Sequence, residues 1–196
     1  YCQKIWLWLQ WKKNPYRVKK ITMRCYGKKE YWYLQKVPSG MLPALEIDQV
    51  LITESDQILL ALEHAFGALG SSLEDPQILT LRLLERKLFR SWCIWLCSPY
   101  TKESQELRRK DQFIAKANEF EQELRKTSNQ WIDPIVNEKN HSHPGSVDVI
   151  FIPYLERMNA SLAYYKGFCM RERFPNINNW FNALEELEVY RGTQGD

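Results

Sequence analysis

The sequence predicts two parts in succession, an α/β half and an all-helical half. Three observations carry this. Helix and strand patterns alternate through the first 66 residues, only helical spacing recurs beyond Pro76, and a glycine-bearing stretch at 67–76 separates the two patterns. The expected domains are therefore residues 1–68 and 77–196.

Taken in order, Gln3 to Lys13 sets Ile5, Trp6, Leu7, Trp8, Leu9 and Trp11 around nearly the whole circumference of a helix, which fits a helix covered on more than one side. Asn14-Pro15 ends it. Tyr16 to Met23 reads as a strand, and Lys28 to Lys36 as a loop and short helix. Leu42 to Glu46 and Val50 to Ile52 are β-prone runs joined as a hairpin through Ile47-Asp48-Gln49, a turn without the usual glycine. Thr53, Ser55 and Asp56 are N-cap candidates for a helix carrying Ile58, Leu59, Leu62, Ala65 and Phe66, which Gly67 and Gly70 close. Beyond the linker, Ile78 to Cys97, Glu103 to Lys126, Val147 to Tyr165 and Ile177 to Glu188 carry helical spacing, and Thr127 to Pro144 reads as a surface loop.

Composition narrows the function classes. Hydrophobic residues make up 44% and charged residues 26% of 196, the balance of a chain that folds around a core. The 27 basic and 24 acidic residues are mixed along the chain, without the basic surplus that phosphate-backbone binding needs, so nucleic acid is not an expected partner. Five cysteines, at 2, 25, 93, 97 and 169, fit a reducing compartment better than a disulfide scaffold. No apolar run approaches the roughly 20 residues of a membrane span.

Val37-Pro38-Ser39-Gly40-Met41-Leu42-Pro43-Ala44-Leu45, followed by Ile52-Thr53-Glu54-Ser55, is similar to the glutathione-binding signature of the glutathione transferases. That resemblance implies a thioredoxin-like N-terminal domain joined to an all-α C-terminal domain, with a cis-proline at Pro43. It also implies that the N–H and C=O of Leu42, next to Met41, pair with the cysteinyl part of glutathione. Ser55 and the helix start behind it suit the γ-glutamyl carboxylate, and Glu54 its ammonium. Lys29 falls where omega-like members place a lysine for the glycine carboxylate, with Lys28 adjacent.

Tyr1-Cys2-Gln3-Lys4 resembles the end of the C-P-Y-C-Q-[KR] motif of the omega and dehydroascorbate-reductase classes. The first position of that motif, Cys or Ser in those classes, lies two places ahead of Tyr1, and the chain is expected to be truncated at its start. Cys2 matches the second, resolving-type cysteine, where a helix N-terminus favours a thiolate. The stretch from Asp148 to Tyr165 resembles the buried sixth helix of the family, with Gly145 in the cap position. Phe174-Pro175-Asn176-Ile177 with Trp180 resembles the closing P-x-[IL]-x-x-W helix. Pro-Tyr-Leu-Glu-Arg-Met and Tyr-Arg-Gly-Thr-Gln resemble cyanobacterial, algal and plastid members, so the implied location is cytoplasm or plastid stroma.

Other clusters read as structure. Cys93 and Cys97, at i and i+4 among Trp92, Trp95 and Leu96, read as core; His141 and His143 read as solvated loop residues, and no metal is expected. Two functions follow from the resemblance. One is a glutathione-binding transferase acting by thiol transfer or by conjugation on an electrophilic or disulfide-containing co-substrate, as a monomer or homodimer. The other is a catalytically silent subunit of a larger assembly.

Overall fold

A computed structural model describes residues 1–23, 27–127, 130–139 and 143–194, which form two compact units, Tyr1–Gly67 and Ala68–Asp196. Cys25 and His141 lie outside the described residues.

The first unit opens with α1 (Cys2–Lys12), which buries Lys4, Ile5, Leu7, Trp8 and Leu9 and leaves Trp6 exposed. Lys13 closes it in the left-handed conformation, at φ 55°. Residues 14–23 then run without regular structure, so the strand expected over Tyr16–Met23 does not form. The physical reason is a missing ladder. A strand needs a paired neighbour, and Val18 and Met23 stand 60% and 52% exposed instead of packing on one. After α2 (Tyr31–Lys36) comes a two-stranded antiparallel sheet of β1 (Ala44–Ile47) and β2 (Val50–Thr53), with Ala44 opposite Thr53 and Ile47 opposite Val50.

The two-residue loop requires positive φ at both positions, and Asp48 (47°) and Gln49 (69°) supply it without glycine. In such a hairpin the loop-flanking pair is hydrogen-bonded, so Leu45 and Ile47 face β2, while the main-chain groups of Ala44 and Glu46 point to the free edge. The helix α3 (Ser55–Phe66) follows β2 after one residue and buries Ile58, Leu59 and Leu62.

Every regular element described in the second unit is a helix. Its long helices are α4 (Pro76–Cys97), started by the Asp75 carboxylate accepting from Gln77 N–H at 2.8 Å, and α5 (Glu103–Lys126). The segment expected to be a loop contains the short helix α6 (Pro134–Glu138). It is followed by α7 (Ser146–Lys166), α8 (Met170–Arg173), α9 (Pro175–Glu185) and α10 (Glu188–Arg191), so the single helix expected over 177–188 is divided at Glu186–Leu187. Phe120 stacks on Phe151 at 4.5 Å and meets Trp180 edge-on, and all three lie in the core of the unit.

Two buried aspartates organise that core. Asp148 accepts from the N–H groups of Ile132, Asp133 and Gly145 and from Trp180 Nε1. Asp133 accepts from Ser71 through both N–H and hydroxyl, and from Val136 N–H. Gly145 is the N-cap of α7 because a Cβ there would fall 2.1 Å from an Asp133 carboxylate oxygen. Burial, together with the Asp133 charge, pushes the Asp148 carboxyl up to about 7 against the pull of its donors.

Candidate functional site

The hairpin register assembles the site. Because Ala44 pairs with Thr53, the residues just outside the ladder, Leu42-Pro43 on one side and Glu54-Ser55 on the other, emerge at the same end of the sheet. The Leu42–Pro43 peptide is cis. Among the described residues neither the N–H nor the C=O of Leu42 has a hydrogen-bond partner. A main chain in that state can pair with another extended backbone.

The N-cap of α3 is Glu54, not one of the hydroxyl or Asp candidates. Thr53 ends β2, and Ser55 and Asp56 occupy the first two helical positions. With a single residue to turn from strand into helix, Glu54 takes φ 66° and ψ 115°, a conformation that costs an L-residue about 1–3 kcal/mol. No side chain caps the helix, Ser55 is buried, and its hydroxyl has no partner among the described residues. Free N–H groups, the positive end of the helix dipole and a spare hydroxyl together suit a carboxylate.

Lys29 and Lys28 separate in the structure. Lys28 is exposed, whereas Lys29 is half-buried, donating from Nζ to the Thr22 carbonyl at 3.3 Å with its stem beside Gly40. Met41 is exposed, and its carbonyl accepts from the Tyr33 hydroxyl. Burial, and then the charge at Cys2, push the Tyr33 phenol upward. Tyr33 thus braces the Met41-Leu42 segment, a role that the sequence did not single out. Its signal was only the aromatic run Tyr31-Trp32-Tyr33, of which Tyr33 alone is buried.

A groove of about 650 Å³ also runs along the free edge of β1, lined by Tyr16, Arg17, Trp32, Leu45 and Leu62. It includes Leu42 but not Cys2, Lys29, Glu54 or Ser55, so it is not the candidate site. In the second unit Cys93 is half-buried and Cys97 exposed, which corrects the reading of both as core. No group of three or more metal-ligating side chains exists among the described residues. No helix among them is long and apolar enough to cross a membrane.

An α/β unit presenting an unpaired main chain at a cis-proline beside an uncapped helix start, followed by an all-helical unit, is the layout of the glutathione-transferase fold. The family model for the glutathione S-transferase N-terminal domain matches residues 1–65. Over 201 residues the chain is 25% identical to glutathione S-transferase DHAR2 of Arabidopsis thaliana, covering 99% of this chain and 83% of that protein. Its fold is similar to that of Chlamydomonas reinhardtii dehydroascorbate reductase (TM-score 0.76, 20% identity, 98% of this chain and 83% of that one). It is equally similar to glutathione transferase Omega 3C of Trametes versicolor (TM-score 0.76, 22% identity, 100% and 85%). Residues 1–65 thus carry the match to the glutathione S-transferase N-terminal domain, and the chain as a whole is similar to dehydroascorbate-reductase and omega-type transferases.

Proposed function

We propose that this chain binds glutathione at the open end of the hairpin and works as a glutathione-dependent transferase or thiol reductase. The observation that carries the reading is the unpaired main chain of Leu42 beside the uncapped start of α3. The site residues fit the tripeptide by chemistry. The Leu42 N–H and C=O would receive the cysteinyl backbone, as a sheet edge receives a strand. The Ser55 hydroxyl and the first N–H groups of α3 would hold the γ-glutamyl carboxylate, and the exposed Glu54 carboxylate its ammonium. Lys29, half-buried beside Gly40, would meet the glycine carboxylate.

Cys2 is an exposed thiol at the start of α1, in the same unit as this site. In the thiol-transfer reading its thiolate attacks one sulfur of glutathione disulfide, forming a Cys2–glutathione mixed disulfide and expelling the second glutathione as thiolate. In the conjugating reading, bound glutathione reacts through its own sulfur with an electrophilic co-substrate. The free thiols at 2, 93, 97 and 169 suit a reducing compartment such as cytoplasm or plastid stroma. Nothing among the described residues favours a silent assembly subunit.

Retention on immobilised glutathione tests the binding step. The wild type is expected to be retained and eluted by free glutathione, and Glu54→Ala and Ser55→Ala to flow through. Unaltered retention of both variants contradicts the site. Peptide mass mapping after exposure to glutathione disulfide tests the thiol, with the adduct expected on Cys2.

A further inference from the structure

The first unit buries two charged side chains, Lys4 and Glu63. Lys4, on the first turn of α1, is 2% exposed, and its Nζ donates to Asp56 Oδ1 at 2.5 Å across 52 positions of sequence. Asp56 itself is 49% exposed and is the second residue of α3. Water already solvates the Asp56 carboxylate, and its place at a helix N-terminus already suits its charge. Burying the ammonium, by contrast, costs several kcal/mol, and a half-exposed carboxylate returns only part of that, so the pair is a weak contributor to stability.

Position supplies a better reason. Asp56 follows Ser55 directly, so an unneutralised carboxylate there would repel any anion approaching the same helix start. From the geometry of the pair we infer that Lys4 is a positioning residue for carboxylate binding. It cancels the Asp56 charge from beneath, leaving the helix dipole and the Ser55 hydroxyl as the field the ligand meets, and it ties the first turn of α1, which carries Cys2, to the first turn of α3. This rests on the glutathione reading above and deepens it. The Tyr1 ring, 5.9 Å from the same ammonium, adds a second contact at the start of α1.

The sign of the mutational effects separates this role from packing. Calorimetric titration of reduced glutathione into Lys4→Met should show affinity lowered about tenfold, the cost of an unscreened carboxylate one residue from the ligand. Asp56→Asn should bind as tightly as wild type or more tightly, because the buried ammonium is then no longer offset by a carboxylate at the helix start. The double variant should return to within about threefold of wild type, Lys4→Arg should retain binding, and the Lys4→Met defect should shrink at high salt. Asp56 is half-exposed, so Asp56→Asn keeps the test available should Lys4→Met fail to fold. Equal weakening in Lys4→Met and Asp56→Asn, tracking their loss of thermal stability, overturns the inference, as does wild-type affinity in Lys4→Met. A wild type that binds no glutathione overturns the proposed function and this inference together, whereas normal wild-type binding without the opposed signs overturns the inference alone.

Discussion

Glu54 occupies a backbone conformation that glycine would adopt at no steric cost, yet the chain places there a carboxylate aimed at solvent. Strain retained at an exposed residue points to use, since nothing in the packing of the unit asks for that side chain. Glu54→Gly is therefore expected to raise stability by about 1 kcal/mol, read as a higher urea midpoint, while weakening glutathione binding. An unchanged affinity would remove Glu54 from the site. Gly145 is the opposite case, a residue held by space. Its Cβ would penetrate the Asp133 carboxylate, so Gly145→Ala is expected to cost roughly 2–4 kcal/mol in a urea titration. At this scale the sequence was informative where a motif has fixed spacing, as in Leu42-Pro43 and Glu54-Ser55. It was silent where the fold selects among equals. Tyr33 is buried against Met41 while Tyr31 is 76% exposed, and no local pattern distinguishes the two aromatics.

Among the elements, the hairpin shows a local rule broken but obeyed in geometry. Both loop residues sit at positive φ although neither is glycine, so Gln49→Gly is expected to stabilise the first unit by about 0.5–1 kcal/mol, measured as a rise in thermal midpoint. The helices were legible because their apolar spacing and their stops, Asn14-Pro15 and Gly67, act within a few residues. Tyr16–Met23 was not, because alternation signals a strand only when another strand lies alongside, and pairing is a long-range fact. The split of the last helix into α9 and α10 was equally hidden, since both pieces keep one apolar face, with Ile177, Trp180, Phe181, Leu184 and Tyr190 all buried.

The start of α7 carries a pH dependence. The Asp148 carboxyl rises from its ordinary value of 3.8 to about 7 on burial, so the folded state holds this proton more tightly than the unfolded chain. Its contribution is fully present below about pH 4, falls as pH rises towards 7, and is flat above. Urea midpoints between pH 4.5 and 8 should show a falling component that Asp148→Asn abolishes. An identical slope in that variant would assign the dependence elsewhere.

For the whole molecule, every residue of the candidate site lies in the unit Tyr1–Gly67, while the larger aromatic core lies in Ala68–Asp196. The division into an α/β and a helical part could be read from sequence because it rests on periodicity summed over long stretches, where single misreadings such as Tyr16–Met23 do not change the outcome. The site could be read only in part. Its motif residues were visible, but the ties that hold them, Tyr33 to Met41 and Lys4 to Asp56, join segments that only the folded chain brings together.

Glutathione recognition at this site rests on main-chain pairing at Leu42 next to the start of α3. Nuclear magnetic resonance of the ¹⁵N-labelled protein, titrated with reduced glutathione, reads it directly. The Leu42 and Ser55 amide signals should shift together and saturate, with the Leu42 amide becoming protected from hydrogen exchange. Saturable shifts confined to other residues, or none at all in folded protein, would contradict it.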